Sequence, residues 1–100
     1  MRAIRTTEVF DAWFGKLKDN YGKAHIQMRI DRAEEGNFGD YASLGGRLFE
    51  MRIHTGPGYR IYFTQRGNEL VILLVGGDKS GQPRDLRRAR ALEKALRDLP

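Results

Sequence analysis

Along residues 50–62 two arginines, a histidine and a tyrosine alternate with apolar neighbours, a pattern that gathers chemistry on one face of a β-hairpin. The run reads Glu50-Met51-Arg52-Ile53-His54, then Thr55-Gly56-Pro57-Gly58, then Tyr59-Arg60-Ile61-Tyr62. Successive strand side chains point to opposite faces, so Phe49, Met51 and Ile53 share one face and Leu48, Glu50, Arg52 and His54 the other. The next strand sets Ile61 and Phe63 opposite Arg60, Tyr62 and Thr64. A turn centred on Gly56 pairs Met51 with Ile61, which keeps the apolar face whole. It also sets Arg52 across from Arg60. Like charges facing each other destabilise a sheet, so the register predicts an anion such as a phosphate between the two guanidinium groups. An ion pair from Glu50 to either arginine is the competing explanation.

An anion-handling surface of this kind suits RNA. Metal-free RNA cleavage needs a group to take the 2′-hydroxyl proton, cations for the phosphorane charge and an acid for the leaving oxygen. Arginine stays protonated and cannot be the base, so proton transfer falls to His54, to Lys79 in the corner after the next strand, or to a tyrosine. Crowded cations lower one another's proton affinity, which brings His54 or Lys79 nearer the working pH. Gly76-Gly77-Asp78-Lys79-Ser80 lacks the spacing of a nucleotide-binding P-loop. It reads instead as a flexible polar exit toward a helix.

These residues need a scaffold, and the flanking sequence supplies one. Residues 2–6 can form a short opening strand. Thr7 before Glu8 has the chemistry of an N-cap, and Phe10, Trp13, Phe14 and Leu17 recur at helical spacing as a core stripe. Asp19-Asn20-Tyr21-Gly22 interrupts that helix, and a second is expected over residues 23–35, with Ile26, Ile30 and Ala33 on its inner face and His25 on solvated surface. Residues 38–44 can form an edge strand, followed by a turn at Gly45-Gly46. Residues 70–75 are apolar without alternation, which predicts a central strand covered on both faces. The cover for its second face is a helix over residues 83–99, with Leu86, Ala89, Leu92, Leu96 and Leu99 inward and Arg87, Arg90, Lys94 and Arg97 outward. A helix pair followed by antiparallel strands and a last helix is an α+β layer fold.

One hundred residues make a single domain over residues 1–100, able to bury one modest core. The absence of cysteine excludes disulfides, thiolate metal sites and a cysteine nucleophile, and two distant histidines do not make a metal site, so no cofactor is expected. The charge of +5, from 18 Lys+Arg against 13 Asp+Glu, favours polyanionic partners but equally fits an ordinary basic surface. No apolar run is long enough to span a bilayer, and Arg2 and Arg5 have no apolar core behind them, so no membrane contact or signal peptide is expected and the expected location is cytoplasmic.

The combination of residues 50–63 with Leu73-Leu74-Val75-Gly76-Gly77-Asp78-Lys79-Ser80, a basic last helix and Asn37-Phe38-Gly39-Asp40 resembles the RelE/ParE toxin superfamily, in particular its phage Gp49-like, HigB-type addiction module killer branch. The resemblance covers nearly the whole chain. It implies an N-terminal helical hairpin packed on a small curved antiparallel sheet with a C-terminal helix. It also implies a type II toxin paired with an antitoxin encoded nearby, a helix-turn-helix protein in this branch. Similar toxins cleave mRNA on the ribosome without metal. By position, Arg60 matches the family's strand arginine, Arg52 the basic residue ending the preceding strand, and Lys79 the basic residue after the last strand. Two departures stand out: Glu50 falls where related enzymes carry a second basic residue, and the last helix has no tyrosine. His54, Tyr59 or Tyr62 must then carry part of the load. The resemblance leaves two other readings open, a ParE-like inhibitor of DNA gyrase and a non-catalytic module that docks an antitoxin or nucleic acid.

Overall fold

A computed structural model describes residues 1–99, in which two N-terminal helices and a C-terminal helix cover opposite faces of a five-stranded sheet. The elements are β1 (Ala3–Thr6), α1 (Glu8–Lys16), α2 (Asn20–Glu34), β2 (Tyr41–Gly45), β3 (Leu48–Ile53), β4 (Tyr59–Arg66), β5 (Leu70–Asp78) and α3 (Gln82–Arg97). The sheet runs β1-β5-β4-β3-β2. The α+β layering is as the sequence predicts, with one difference: β1 joins β5 in parallel, so the sheet is mixed. The reason is topological, since the first strand reaches the far edge by way of the helical pair rather than by a hairpin.

The helix ends follow their caps. The Thr7 hydroxyl accepts from the Phe10 amide and starts α1. Asp19 does the same for Gly22, so α2 begins at Asn20, three residues before the expected start. Asn20, Tyr21 and Gly22 therefore form its first turn, because the Asp19 cap outweighs their turn preference. At the other end α3 stops at Arg97, and Leu99 lies exposed beyond it.

Two apolar clusters fill the layers. Phe10, Ile26, Ile30 and Ala33 of α1 and α2 meet Met51, Ile53, Ile61, Phe63, Val71 and Leu73. On the other face Leu48, Tyr62, Leu74 and Val75 meet Ala89, with Leu86, Leu92 and Leu96 packed around them. Both faces of β5 are thus covered, as its unalternated sequence requires.

A bulge in β5 resets its alternation. Tyr62 pairs with Val75 but Phe63 with Leu73, leaving Leu74 as the extra residue. Leu74 and Val75 consequently both face α3. Gly76 then turns toward α1 and Gly77 toward α3, and both belong to the strand rather than to the flexible corner expected there. Only Lys79–Gly81 leave the sheet, as one turn of 3-10 helix. The glycines are needed for close approach: a Cβ at Gly76 would collide with the Trp13 ring, and one at Gly77 with the Asp85 carboxylate. Gly77→Ala is expected to cost about 1–3 kcal/mol through overpacking, seen as a lower melting temperature with an unchanged fold by circular dichroism.

Candidate functional site: a row of alternating charges across the sheet end

The β3–β4 register is the predicted one, with Met51 opposite Ile61 and Arg52 opposite Arg60. Glu50 stands two pairs back from the arginines, across from Tyr62. Its carboxylate accepts from Arg60 Nη1 at 2.6 Å and from Arg52 Nε at 3.2 Å. The anion between the arginines is therefore supplied by the protein itself, which corrects the expectation of an external phosphate in that seat. The Glu50 side chain is only 5% exposed, against 18% for Arg60 and 34% for Arg52. A buried carboxylate persists only when its charge is matched and hydrogen-bonded, and two charge-assisted bonds do that here.

The row continues outward. Asp40, just ahead of β2, accepts from Arg52 Nη1 at 3.3 Å through Oδ1 and from His54 Nε2 at 2.6 Å through Oδ2. The His54 bond, followed by the Arg52 charge, holds the Asp40 carboxyl below the usual carboxylate range against some desolvation. The order across the sheet end is Arg60, Glu50, Arg52, Asp40, His54, running from a shielded end to an open one, where His54 is 65% exposed. Arg29 fixes the backbone beneath it. From α2 its guanidinium donates to the carbonyls of Arg52, Phe38 and Asp40, at 2.7, 2.9 and 3.3 Å.

The two tyrosines stand apart from this chemistry. Tyr59 lies on the opposite face, where its hydroxyl donates to Asp19 Oδ2 at 2.7 Å and its ring meets Trp13 edge-on. Burial and the Asp19 bond push its pKa up to about 12. Tyr62 shares the arginine face, but its hydroxyl is buried with no hydrogen-bond partner among the described residues, and burial together with Glu50 pushes it up to about 12. Both phenols are buried and Tyr59 is turned to the opposite face, so neither hydroxyl lies open on the arginine surface, where the sequence reading asked for a proton-transfer group. Lys79 is exposed beside the β3–β4 turn, its side chain lying along Gly58, where a Cβ would sit 2.8 Å from Cε. That places it at the His54 end of the hairpin.

The tyrosines set an alkaline limit. Their folded pKa values exceed the unfolded value of about 10, so their contribution to stability is complete below pH 10 and is lost as pH rises toward 12. Tyr62→Phe removes an unpartnered buried hydroxyl and is expected to be neutral or stabilising by up to about 1 kcal/mol. Urea midpoints measured from pH 9 to 12 should fall less steeply for this variant than for the parent.

Sequence reasoning missed several participants. Glu50, weighed in the sequence as an ion-pair partner for either arginine, in fact bridges both. Asp40 had one available signal, its place immediately before an edge strand next to β3. His25, expected on solvated surface, is half-buried and hydrogen-bonds the Thr55 hydroxyl in the β3–β4 turn. Arg90, on the outer face of α3, donates to the carbonyls of Leu44 and Gly45 and ties the helix to β2. Among the described residues no three His, Cys, Asp or Glu side chains form a group that could hold a metal ion, and no helix is long and apolar enough to cross a membrane.

The fold and site define a small α+β protein whose sheet end displays alternating arginine and carboxylate groups. No family model matches the chain. It is 48% identical over 93 residues to an uncharacterized protein of Haemophilus influenzae, a match covering 93% of this chain and 94% of that protein. The chain belongs to the same family as that protein.

Proposed function

We propose that the chain is a RelE/ParE-superfamily toxin of the phage Gp49-like, HigB type, a cytoplasmic, metal-free endoribonuclease that cleaves mRNA on the ribosome and is restrained by a helix-turn-helix antitoxin encoded beside it. The observation that carries this reading is the charge row. Two guanidinium groups flank Glu50 and Asp40 balances the second positive charge, so the row offers two held guanidinium forks, the outer one partly exposed, beside a carboxylate-bound histidine at the open end.

In the proposed reaction the 2′-oxygen attacks the adjacent phosphorus and the bond to the 5′-oxygen breaks. A 2′,3′-cyclic phosphate and a 5′-hydroxyl result. Arg52 presents its exposed edge to the non-bridging oxygens, with Arg60 behind it and Glu50 holding both forks in place. With Nε2–H donated to Asp40, the neutral His54 imidazole offers Nδ1 as the acceptor for the 2′-hydroxyl proton. Lys79, at the same end of the hairpin, supplies the proton to the leaving 5′-oxygen.

Induced expression followed by mapping of mRNA 5′ ends tests the reading. Codon-phased cuts bearing 5′-hydroxyls are expected. Growth arrest with intact messages overturns it, and inhibition of purified gyrase in a supercoiling assay would assign the ParE-like alternative instead.

A further inference from the structure

The outer edge of β5 is only half covered. β1 pairs with it from Leu70 to Leu73, and Thr7 adds two bonds, its amide to the Leu73 carbonyl at 3.1 Å and its hydroxyl to the Leu74 carbonyl at 2.6 Å. The chain then turns away into α1. From Val75 to Asp78 the strand is paired with β4 on one side, and among the described residues no backbone bond reaches its other side. Alternate residues of such a strand turn both N–H and C=O outward, a template for another strand.

This edge is the floor of a slot of about 440 Å³ between α1 and α3. Val9, Ala12 and Trp13 form one wall, on the face toward which Gly76 points. Arg84, Asp85 and Arg88 form the other, on the Gly77 face, and Lys16 stands at the rim. A cluster of charges that served only to repel stray strands would need no recess of this size. The slot instead continues the line that β1 vacates.

We propose that the slot takes an extended peptide segment of a partner protein, added to β5 in the plane of the sheet. Side chains of an added strand would point alternately toward the two walls. One wall is apolar and aromatic, and the other carries two exposed arginines around the buried Asp85, which pairs with Arg84 at 3.6 Å; with Lys16 the cations outnumber the two carboxylates, Asp78 and Asp85. The occupant that fits is therefore an alternating apolar and acidic segment, held by backbone bonds to Val75–Asp78 and selected by Arg84 and Arg88. This inference stands on the sheet edge and is independent of the nuclease reading.

Trp13 is the chain's single tryptophan, so its fluorescence reports on the slot directly. The probe is an acetylated, amidated hexapeptide alternating Glu and Val, compared with a Lys-Val analogue and with a Glu-Val peptide interrupted by proline. Saturable Trp13 quenching by the Glu-Val peptide alone is expected, with amide shifts confined to Val75–Asp78 and neighbours. The Arg84→Gln/Arg88→Gln variant should bind it about tenfold more weakly, while keeping the parent circular dichroism, because both side chains are exposed and no new charge is set against the buried Asp85. No saturable response at millimolar peptide overturns the proposal, as does equal binding of the Lys-Val analogue. Shifts of the same amides by a short oligouridylate, without binding of the acidic peptide, would make the slot a nucleic-acid groove and also overturn it.

Discussion

Replacing Glu50 by alanine is expected to destabilise the protein by about 3 kcal/mol, the lower end of the cost of breaking a buried ion pair. The lower end applies because Arg52 is partly solvated and can turn to water, whereas Arg60 is mostly shielded and cannot. In the variant Arg60 loses its 2.6 Å partner while its Nε already lacks one among the described residues, so a mostly shielded guanidinium is left with its charge unmatched. In urea the midpoint should fall by roughly 1–3 M for a domain of this size. Glu50→Leu combined with Arg60→Leu should cost less than the two single changes added together, since an apolar pair replaces the ionic one. Additive losses would mean that the two side chains do not act as a pair. The alanine variant also vacates the seat between the arginines, so phosphate should stabilise it more than the parent.

In the proposed nuclease reaction, His54→Ala should lower mRNA cleavage by about 100-fold or more, the usual worth of a positioned proton-transfer group. Because His54 is largely exposed and its one bond is to Asp40, stability should change by no more than about 0.5 kcal/mol. Asp40→Asn is the companion test. It keeps the shape but removes the charge that orients the imidazole, and activity should fall to a level between the parent and His54→Ala. Cleavage by His54→Ala at the parent rate would move proton transfer to another residue. A loss of folding in Asp40→Asn would show that this carboxylate serves the sheet rather than the chemistry.

Much of this architecture was legible in the residues. Thr7 as a cap, the Phe10–Leu17 stripe and the alternation through Met51 and Ile61 each rest on local periodicity, and each is where the pattern puts it. The opposition of Arg52 and Arg60 followed from register alone. What register could not reveal was the rotamer of Glu50, because a side chain two residues along the same strand can bridge both arginines or face water with the same alternation. The Asp40 contact is harder still: the tight turn at Gly46-Arg47 sets β2 beside β3, but Asp40 lies ahead of β2, in the connection from α2, whose path no alternation fixes. Gly76 and Gly77 misled for a physical reason: glycine pairs mark turns when the space around them is open, and here Trp13 and Asp85 fill it. Tyr59 and Tyr62 have the right chemistry as free side chains, but their burial takes it away.

The parallel seat of β1 has a consequence in time. The Thr7 hydroxyl and the Leu74 carbonyl that it grips are 67 residues apart in the chain. Translation adds about 5–20 residues per second, so several seconds separate the making of the first strand from the appearance of its neighbour. Throughout that interval α1 and α2 have no finished sheet to rest on, and β3 and β4 can form their hairpin before the strand that anchors it exists. α3, which covers the Tyr62 and Leu48 side, comes later still. The arginine row can therefore assemble early, but its support closes only when the last fifth of the polypeptide has been made. The molecule is synthesised from its N-terminus and sealed from its C-terminus.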